Sequence, residues 1–368
     1  MKRIKAGIVG CGNISGAYLR NLADSPFVQV AAVADLDPER AKSKAEEFGI
    51  ENVYTLPELL AQEDIELVIN LTVPSSHAAV HLAALEAGKH VYGEKPLAVT
   101  LEEARRVMEL AAVRGLRVGC APDTFLGSGI QTARKAIEDG LIGRPLAASG
   151  FMMGGGPESW HPDPEFFYAP GGGPLFDMGP YYITALVELL GPVGRVSSLA
   201  AMPVPERRIG SGPKAGQLFP VRTPTHLSGV LEMRSGVLST VTFSFDIAGG
   251  SELPLLEIHG TEGSLSLPDP NRFDGNVRLR RRGEEWTELE PAFSSRPDER
   301  GIGVNDMVEA IREGRPHRAS GERGFHVLET MHAFIRSASE GKHIPIASGD
   351  ALTSVLYRTE TSPEDNNK

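Results

Sequence analysis

Short apolar runs alternate with amphipathic stretches over roughly the first 120 residues of the chain. Apolar runs of this kind are typical of strands buried on both faces of a parallel sheet. Between them, apolar residues recur at helical spacing. The predicted strands are 4–10, 28–35, 65–73, 89–93 and 116–121, and the predicted helices are 13–24, 38–48, 76–87 and 100–114. Strands that alternate with helices predict a doubly wound, parallel α/β sheet.

Two of these helices carry recognisable start signals. Asp37 stands directly before Pro38, the arrangement of an N-cap followed by proline at the first helical position. Thr100 is followed by Glu103, which predicts a capping box. We therefore expect one helix to begin at Pro38 and another just after Thr100.

The pattern changes after about residue 124. A helical stretch at 127–140 precedes segments rich in β-branched residues, and MRSGVLSTVTFSF predicts a hairpin that turns at Ser235-Gly236. These segments predict an α+β domain with an antiparallel or mixed sheet and helices on one face. The further predicted strands are 144–153, 194–202, 226–234, 236–246, 254–259 and 263–267, and the further helices are 180–190, 303–314 and 323–340.

The chain has 368 residues, which is long for one domain. We place a nucleotide-type α/β domain at 1–123, an α+β domain at 124–358 and a disordered tail at 359–368. The segment 203–224 lacks periodicity and is longer than a usual connection. A lid, an assembly arm and a slack surface loop are all compatible with it.

Composition narrows the class of protein. A net charge of −11 disfavours nucleic acid as a partner, and two cysteines suggest no disulfide framework. The start MKRIKAGIVGCGNIS is basic and then apolar, but glycines interrupt its apolar run, so a strand is the better interpretation than a signal peptide. No apolar stretch approaches the roughly 20 residues of a membrane span. We expect a cytoplasmic protein without membrane contact.

The first strand runs into a glycine-rich loop. Gly10 allows a tight turn there, and Gly12 lets the backbone approach a pyrophosphate at the helix N-terminus. Gly16 gives the spacing G-x-G-x-x-x-G, a variant of the dinucleotide-binding pattern, although a plain tight turn also fits. Asn13 and Ile14 belong to the same predicted cofactor site. Together the loop predicts a Rossmann domain.

The ends of later strands add to this site. Asp35 lies where an acidic residue binds the adenosine ribose, which favours NAD, although nearby Arg40 leaves NADP possible. Thr72, Pro74 and His77 follow a strand near the expected switch point of the sheet, where open α/β sheets bind ligands. We expect them to line the pocket. His77 also fits a simple first-turn position in a helix.

The triplet Glu94-Lys95-Pro96 follows the next strand. Together with ALEAGKHVYGEKPLAVTLEEA, the glycine loop, Asp35 and GGGPLFDMGPYYITAL, it makes the chain similar to the glucose–fructose oxidoreductase/inositol dehydrogenase (Gfo/Idh/MocA) family. The resemblance covers most of the chain. It implies hydride transfer at a hydroxyl-bearing carbon of a sugar or cyclitol. It also implies a C-terminal domain with a large, open, mostly antiparallel sheet, and a homodimer or homotetramer formed through that sheet.

The resemblance gives roles to the triplet. Lys95 corresponds to the family's lysine that contacts the reacting hydroxyl, and Glu94 to its nicotinamide-side residue. The chemistry agrees, because an ammonium group can stabilise an alkoxide-like oxygen and favour ionisation of a neighbouring acid. A solvated surface lysine is the alternative.

The segment GGGPLFDMGPYYI departs from the family's common pattern. Many members carry histidine four residues after the aspartate, whereas this chain has Tyr181 after Asp177 and resembles the tyrosine-containing branch. If the helix begins at Asp177, Pro180 falls in its first turn, and Asp177 and Tyr181 share one face. We assign proton transfer to Tyr181, with Lys95 assisting and Asp177 orienting substrate. Asp177 as a cap and Tyr181 as a packing residue are the alternative, and Tyr182 is expected in the core.

Further residues are candidates for substrate binding. Trp160 and His161 offer an aromatic face and a hydrogen-bonding group that suit a sugar. Relatives often have arginine-phenylalanine after the last nucleotide-domain strand, but here Asp123 precedes Thr124-Phe125, so Asp123 is a candidate hydroxyl acceptor and Phe125 a pocket residue. Structural roles are equally compatible with these positions. The chain has no metal-binding motif of the H-E-x-x-H type or cysteine cluster, and we expect no metal.

Three functions follow from this site. The leading hypothesis is an NAD-dependent dehydrogenase acting on a secondary alcohol of a sugar, cyclitol or glycoside. The second is an NAD-dependent glycosidase that works by transient oxidation, commonly at C3, elimination and re-reduction. The third is a non-enzymatic nucleotide-sensing regulator, which the presence of Lys95, Asp177 and Tyr181 disfavours.

Overall fold

A computed structural model describes residues 3–352. The predicted tail at 359–368 lies outside the described residues. Strands and helices alternate up to Cys120. They are β1 (Ile4–Val9), α1 (Ser15–Leu22), β2 (Val28–Ala34), α2 (Pro38–Phe48), β3 (Asn52–Tyr54), α3 (Leu56–Leu60), β4 (Leu67–Asn70), α4 (Pro74–Glu86), β5 (His90–Gly93), α5 (Leu101–Arg114) and β6 (Val118–Cys120).

The rest of the described chain is richer in strands. Short 3₁₀ turns lie at Thr124–Leu126, Pro157–Ser159 and Pro164–Tyr168. The other elements are α6 (Ser128–Glu138), β7 (Pro145–Met153), α7 (Gly173–Leu190), β8 (Val193–Ala201), β9 (Glu206–Arg208), β10 (Leu218–Pro220), β11 (His226–Met233), β12 (Leu238–Ser244), β13 (Leu256–Gly260), β14 (Gly263–Leu267), β15 (Arg278–Arg281), β16 (Thr287–Glu288), α8 (Ile302–Glu313), α9 (Gly321–Glu340) and β17 (Ile344–Pro345).

Contacts divide the chain into two compact units. Among the described residues, the first unit comprises residues 3–127 and Ser295–Leu328, and the second comprises Ser128–Ser294 and residues 329–352. The domain limits predicted from the sequence, 1–123 and 124–358, rest on the change of pattern near residue 124. Such a pattern carries no information on where a later segment of the chain packs. In the first unit, Asn21 Nδ2 donates to Arg300 O at 3.1 Å. Ser25 Oγ there donates to Asn305 Oδ1 at 2.6 Å.

The first unit contains a six-stranded sheet in the order β3-β2-β1-β4-β5-β6, with every pair parallel. This confirms the predicted doubly wound sheet. The helix start signals are confirmed as well. The Asp37 side chain accepts hydrogen bonds from Glu39 N and Arg40 N, and Thr100 forms a capping box with Glu103. Because parallel strands end at one edge, the segments after β1, β2, β4 and β5 meet there.

The second unit contains a nine-stranded sheet in the order β16-β15-β14-β13-β7-β12-β11-β8-β17. Only β7 and β12 pair in parallel among its described strands, so the predicted mostly antiparallel sheet is confirmed. The hairpin between β11 and β12 turns at Ser235-Gly236 as predicted, with Gly236 at φ 84°. Glycine adopts this positive φ at little steric cost.

One face of this larger sheet packs against α7, which positions the candidate site residues of that helix. Tyr182 of α7 is buried and packs edge-on against Phe243, with 5.8 Å between the ring centres. Phe243 packs in turn against Phe334, with 6.3 Å between the ring centres. Tyr182 is therefore a core residue, as predicted. The opposite face carries more exposed side chains, with Leu199 at 76% exposure. Self-association through this face stays a prediction.

No helix within residues 3–352 has the length and hydrophobicity required to cross a membrane.

Candidate functional site

The glycine loop brings β1 against the end of β4. Gly10 has φ 98°, and a Cβ on it would lie 2.6 Å from the carbonyl carbon of Leu71 and 2.7 Å from Thr72 N. Any side chain there would clash with backbone. At Gly12, by contrast, a Cβ would meet nothing within 4 Å. The loop therefore combines a tight approach with open space, as a pyrophosphate-binding turn requires.

The beginning of α1 suits the same ligand group. Asn13 is exposed and Ile14, the N-cap residue, is half-buried. No side chain caps this helix N-terminus, and its first turn carries no acidic residue. A phosphate placed here would meet the positive end of the helix dipole without competition from a carboxylate.

Asp35 lies where the ribose of a dinucleotide is expected. Its Oδ2 accepts a hydrogen bond from Cys11 N at 2.7 Å, and its Oδ1 accepts one from Asp37 N at 2.8 Å. A carboxylate has about four acceptor positions, so two bonds leave capacity for two ribose hydroxyls. Arg40 Nη1 lies 3.7 Å from Asp35 Oδ1. Because Arg40 would attract the 2′-phosphate of NADP, a preference for NAD depends on the negative charge of Asp35.

Two apolar residues beside this loop were missed by the sequence interpretation. Leu36 is fully exposed and Val73 is 63% exposed. They follow β2 and β4, the strands on either side of β1. An adenine ring bound at this edge would cover such surface. The available signal was an apolar residue directly after the acidic strand end, where a turn is usually polar.

Thr72 and Pro74 lie at the end of β4, as expected. Thr72 Oγ1 donates to Asn70 Oδ1 at 2.7 Å, and Pro74 is the first residue of α4. His77 has no exposed surface. Its Nδ1 is 2.6 Å from Pro96 O and its Nε2 is 3.0 Å from Thr72 O. These contacts favour a role in holding two loops together, and direct contact of His77 with the cofactor stays a prediction.

Burial also affects the charge state of this histidine. Desolvation lowers the pKa of the His77 imidazole, although its two carbonyl neighbours favour the charged form. A neutral imidazole has one N–H, so it donates to only one of the two carbonyl oxygens at a time.

The triplet after β5 is fixed from two sides. Tyr18 Oη donates to Glu94 Oε1 at 2.9 Å, and Lys95 N donates to Glu94 Oε2 at 3.1 Å. The Lys95-Pro96 peptide bond is cis. Lys95 is half-buried at the carboxyl edge of the sheet. Tyr18 was not identified from the sequence, because its apolar spacing in α1 marks it only as a core residue.

Asp123 lies inside the first unit with 1% exposure. Its Oδ2 accepts hydrogen bonds from Gly301 N at 2.9 Å and Gly303 N at 3.0 Å, at the start of α8. Burial raises the pKa of the Asp123 carboxyl to about 6, although these two amides lower it. The contacts favour a helix-capping role, and the expected contact with substrate stays a prediction. Phe125 is also buried, with the Arg323 guanidinium 4.7 Å from its ring centre.

In the second unit, Asp177 and Tyr181 lie on α7. The helix begins at Gly173, not at Asp177, so Pro180 lies in the helix interior rather than in the first turn. The expected helix start was wrong because the three glycines gave no helical signal. Asp177 and Tyr181 remain four residues apart and share a face. Asp177 is half-buried and Tyr181 is 8% exposed.

Trp160 and His161 lie between two 3₁₀ turns of the second unit. Trp160 is 65% exposed and meets the His161 ring edge-on at 5.5 Å. His161 Nδ1 accepts a hydrogen bond from Asp163 N at 3.0 Å. The two side chains therefore form a supported aromatic pair. In residues 3–352, no group of three or more His, Cys, Asp or Glu side chains has the arrangement of a metal site.

Family models match the chain in two segments. A model described as oxidoreductase family, NAD-binding Rossmann fold, of the GFO/IDH/MocA type matches residues 4–121. The model of the GFO/IDH/MocA C-terminal domain matches residues 130–266. The chain belongs to the GFO/IDH/MocA oxidoreductase family. It is an NAD-binding oxidoreductase, which confirms the resemblance, the enzyme class and the cofactor expected from the sequence.

Individual relatives match over nearly the whole chain. A levoglucosan dehydrogenase of Pseudarthrobacter phenanthrenivorans is 25% identical, with 94% of this chain and 99% of the relative covered. A 1,5-anhydro-D-fructose reductase of Ensifer adhaerens is 29% identical, with 93% and 98% covered. The structure of a levoglucosan dehydrogenase in complex with NADH and L-sorbose has a TM-score of 0.81 at 25% identity, covering 95% of this chain and 100% of that chain.

Replacing Asp35 tests the ribose site. We expect Asp35→Ser to weaken NADH binding about 10- to 100-fold, since hydrogen bonds to a charged group contribute roughly 1.5–3 kcal/mol. NADPH binding should strengthen, because Arg40 then faces a phosphate without the competing carboxylate. Fluorescence titration of both cofactors measures this. Asp37→Ser, which retains a capping hydroxyl, is the matched control, and an unchanged NADH-to-NADPH ratio in Asp35→Ser would contradict the assignment.

Replacing Asp123 tests its buried carboxyl. Its folded-state pKa, about 6, exceeds the ordinary value of 3.8, so the unfolded chain releases its proton first and stability falls as pH rises between these values. Asparagine keeps a carbonyl acceptor for the α8 amides but carries no charge. Asp123→Asn should therefore be more stable than wild type at pH 8 by up to about 3 kcal/mol, and the gain should shrink towards pH 4.5.

Urea unfolding at the two pH values measures this difference, with the exposed Asp24→Asn as control. A destabilised Asp123→Asn at pH 8 would show instead that the ionised carboxylate stabilises the start of α8.

Proposed function

We propose that this protein is an NAD-dependent dehydrogenase that oxidises a secondary alcohol of a cyclic sugar or cyclitol. The observation that carries the proposal is the shared face of Asp177 and Tyr181 on α7, where an acid and a phenol lie one helical turn apart and are only partly exposed. Such a pair can bind a hydroxyl group and move its proton. Relatives named as levoglucosan dehydrogenase and 1,5-anhydro-D-fructose reductase support a sugar substrate.

Each side chain has a separate task in this reaction. Tyr181, as phenolate, accepts the proton of the substrate hydroxyl at Oη. The Lys95 ammonium group stabilises the alkoxide-like oxygen and favours the phenolate form of Tyr181. Asp177 accepts a hydrogen bond from the substrate and fixes its orientation. Bound NAD supplies the hydride acceptor.

The residues of the first unit fit that cofactor. Gly10 permits the close approach of the loop to Leu71 and Thr72, Gly12 leaves room for the pyrophosphate, and Asp35 retains acceptor positions for the ribose. Glu94, held by Tyr18, fixes the backbone that presents Lys95. A lysine at the carboxyl ends of the strands, where Rossmann domains bind their ligands, supports the role proposed for Lys95.

Paired tyrosine variants test the proton transfer. Tyr181→Phe should lower kcat by roughly 10²- to 10⁴-fold, the usual contribution of a general base, while the Kd for NADH stays unchanged. Tyr182→Phe is the matched control, because that neighbouring ring is buried against Phe243. Lys95→Met should lower kcat and displace the acidic limb of the pH–rate profile to higher pH, because the phenolate form of Tyr181 loses the neighbouring cation. Equal activity of Tyr181→Phe and Tyr182→Phe would contradict the assignment.

The substrate class is tested by a screen of levoglucosan, myo-inositol and p-nitrophenyl β-D-glucopyranoside with NAD and NADP. We expect NADH to accumulate in proportion to the sugar oxidised. Release of nitrophenolate with catalytic NAD and no net NADH would instead establish redox-assisted glycoside cleavage.

A further inference from the structure

The segment 203–224, here called the arm, is a packed part of the second unit. Its strands β9 and β10 pair antiparallel, with Arg207 opposite Phe219. The arm contributes side chains to a buried hydrophobic cluster, so it is not a loose surface loop. The buried members of this cluster are Tyr168, Ile209, Phe219, Val221 and Phe245.

A buried ionic network anchors the arm. Arg207 Nη1 donates to Glu158 Oε1 at 2.6 Å and to Phe245 O at 3.2 Å, and its Nη2 bonds to Asp246. The guanidinium also lies 5.1 Å from the centre of the Tyr168 ring. The side chain of Arg207 is only 9% exposed. Removing one cation from between two largely buried carboxylates leaves uncompensated charge, so this arginine strongly constrains its neighbours.

The arm also holds both ends of the loop that carries Trp160. Before the tryptophan, Gly210 N donates to Glu158 O at 2.7 Å, and a Cβ on Gly210 would lie 2.9 Å from Ser159 O. After it, Lys214 Nζ lies 2.7 Å from a carboxylate oxygen of Asp163. The loop is therefore fixed on either side of Trp160 by one hairpin.

Trp160 itself remains 65% exposed, whereas the Arg207 side chain that anchors the arm is only 9% exposed. Its indole ring contacts His161, and the His161 ring packs edge-on against Phe167 at 5.4 Å. A rigid indole presents a flat apolar face to a ligand at low entropic cost.

The same loop runs directly into the proposed catalytic helix. A Cβ on Gly172 would lie 2.7 Å from the carbonyl oxygens of both Phe166 and Phe167. The end of the Trp160 loop therefore packs against the start of α7, which bears Asp177 and Tyr181. Asp177 and Tyr181 lie in the second and third turns of α7, beyond this contact.

We propose that Arg207 is a positioning residue that fixes the Trp160 loop so that the indole forms a stacking platform for the C–H face of a cyclic sugar. This inference rests on the proposed sugar-dehydrogenase function and identifies its substrate as a ring with a continuous apolar face. The platform acts on substrate binding and not on the proton transfer. Loss of Arg207 therefore raises KM for the sugar and leaves kcat and NADH binding close to wild type.

The test uses the Trp286→Phe background, since the chain has two tryptophans and Trp160 then remains as the single indole. In this background, Arg207→Met should raise KM for levoglucosan about tenfold, with kcat changed less than about threefold. Trp160→Ala should raise KM by a similar factor, and the double variant should add little, because the two residues act as one unit. Levoglucosan should change Trp160 emission in the parent but not in Arg207→Met.

Arg195→Met is the matched control, because it removes an arginine from an exposed pair with Glu232 in the same unit. If Arg207→Met does not fold, Glu158→Gln weakens the same network without an unpaired charge and should raise KM to a smaller extent. Wild-type KM in the Arg207, Glu158 and Trp160 variants, or fully additive effects, would overturn the inference. A parent protein that oxidises none of the sugars would refute the proposed function, whereas its Trp160 emission would still report whether levoglucosan binds the platform.

Discussion

The contact of Gly10 with the backbone of Leu71 and Thr72 is the constraint on which the cofactor side of this structure depends. A Cβ at this position would lie well inside contact distance of main-chain atoms that cannot move away. The absence of a side chain lets β1 end against β4, which places Cys11 N on the Asp35 carboxylate and leaves the space beside Gly12 open. The proposed pyrophosphate and ribose sites thus both depend on one close backbone approach.

Around that approach, buried polar side chains connect the strand ends. His77 joins the loop after β4 to the triplet after β5, and Tyr18 joins α1 to Glu94. Asp123 joins the chain after β6 to the start of α8. Each contact satisfies a polar group that would be costly to bury alone. These groups hold the edge of the sheet in place, while the chemistry is assigned to Lys95 and, on α7, to Tyr181.

The regular elements and the cofactor class could be predicted because they depend on local pattern. The strands and helices of the parallel sheet follow the spacing of apolar residues, and the N-caps at Asp37 and Thr100 have defined side-chain signals. The short elements β3 and α3 were missed because segments of so few residues show no period. The start of α7 was missed because glycines at 171–173 suggest a turn. In the structure Gly173 is the first residue of the helix, has a positive φ of 88° and lies so close to Pro224 O that a side chain would not fit.

The roles of Asp123 and Arg207 could not be predicted, since they depend on partners far along the chain. Asp123 contacts amides 178 and 180 positions later, and Arg207 contacts carboxylates 49 positions before it and 39 after it. In sequence, both residues appear as ordinary charges in irregular segments. Only the packing shows that each is almost fully buried and satisfies specific groups.

The central claim, that Tyr181 and Lys95 act on one substrate hydroxyl, is tested most directly by a crystal structure with NADH and a bound cyclic sugar. We predict that Tyr181 Oη and Lys95 Nζ both lie within about 2.6–3.2 Å of the same sugar oxygen. A Tyr181 hydroxyl turned into the core, with another acid or base at that oxygen, would contradict the account.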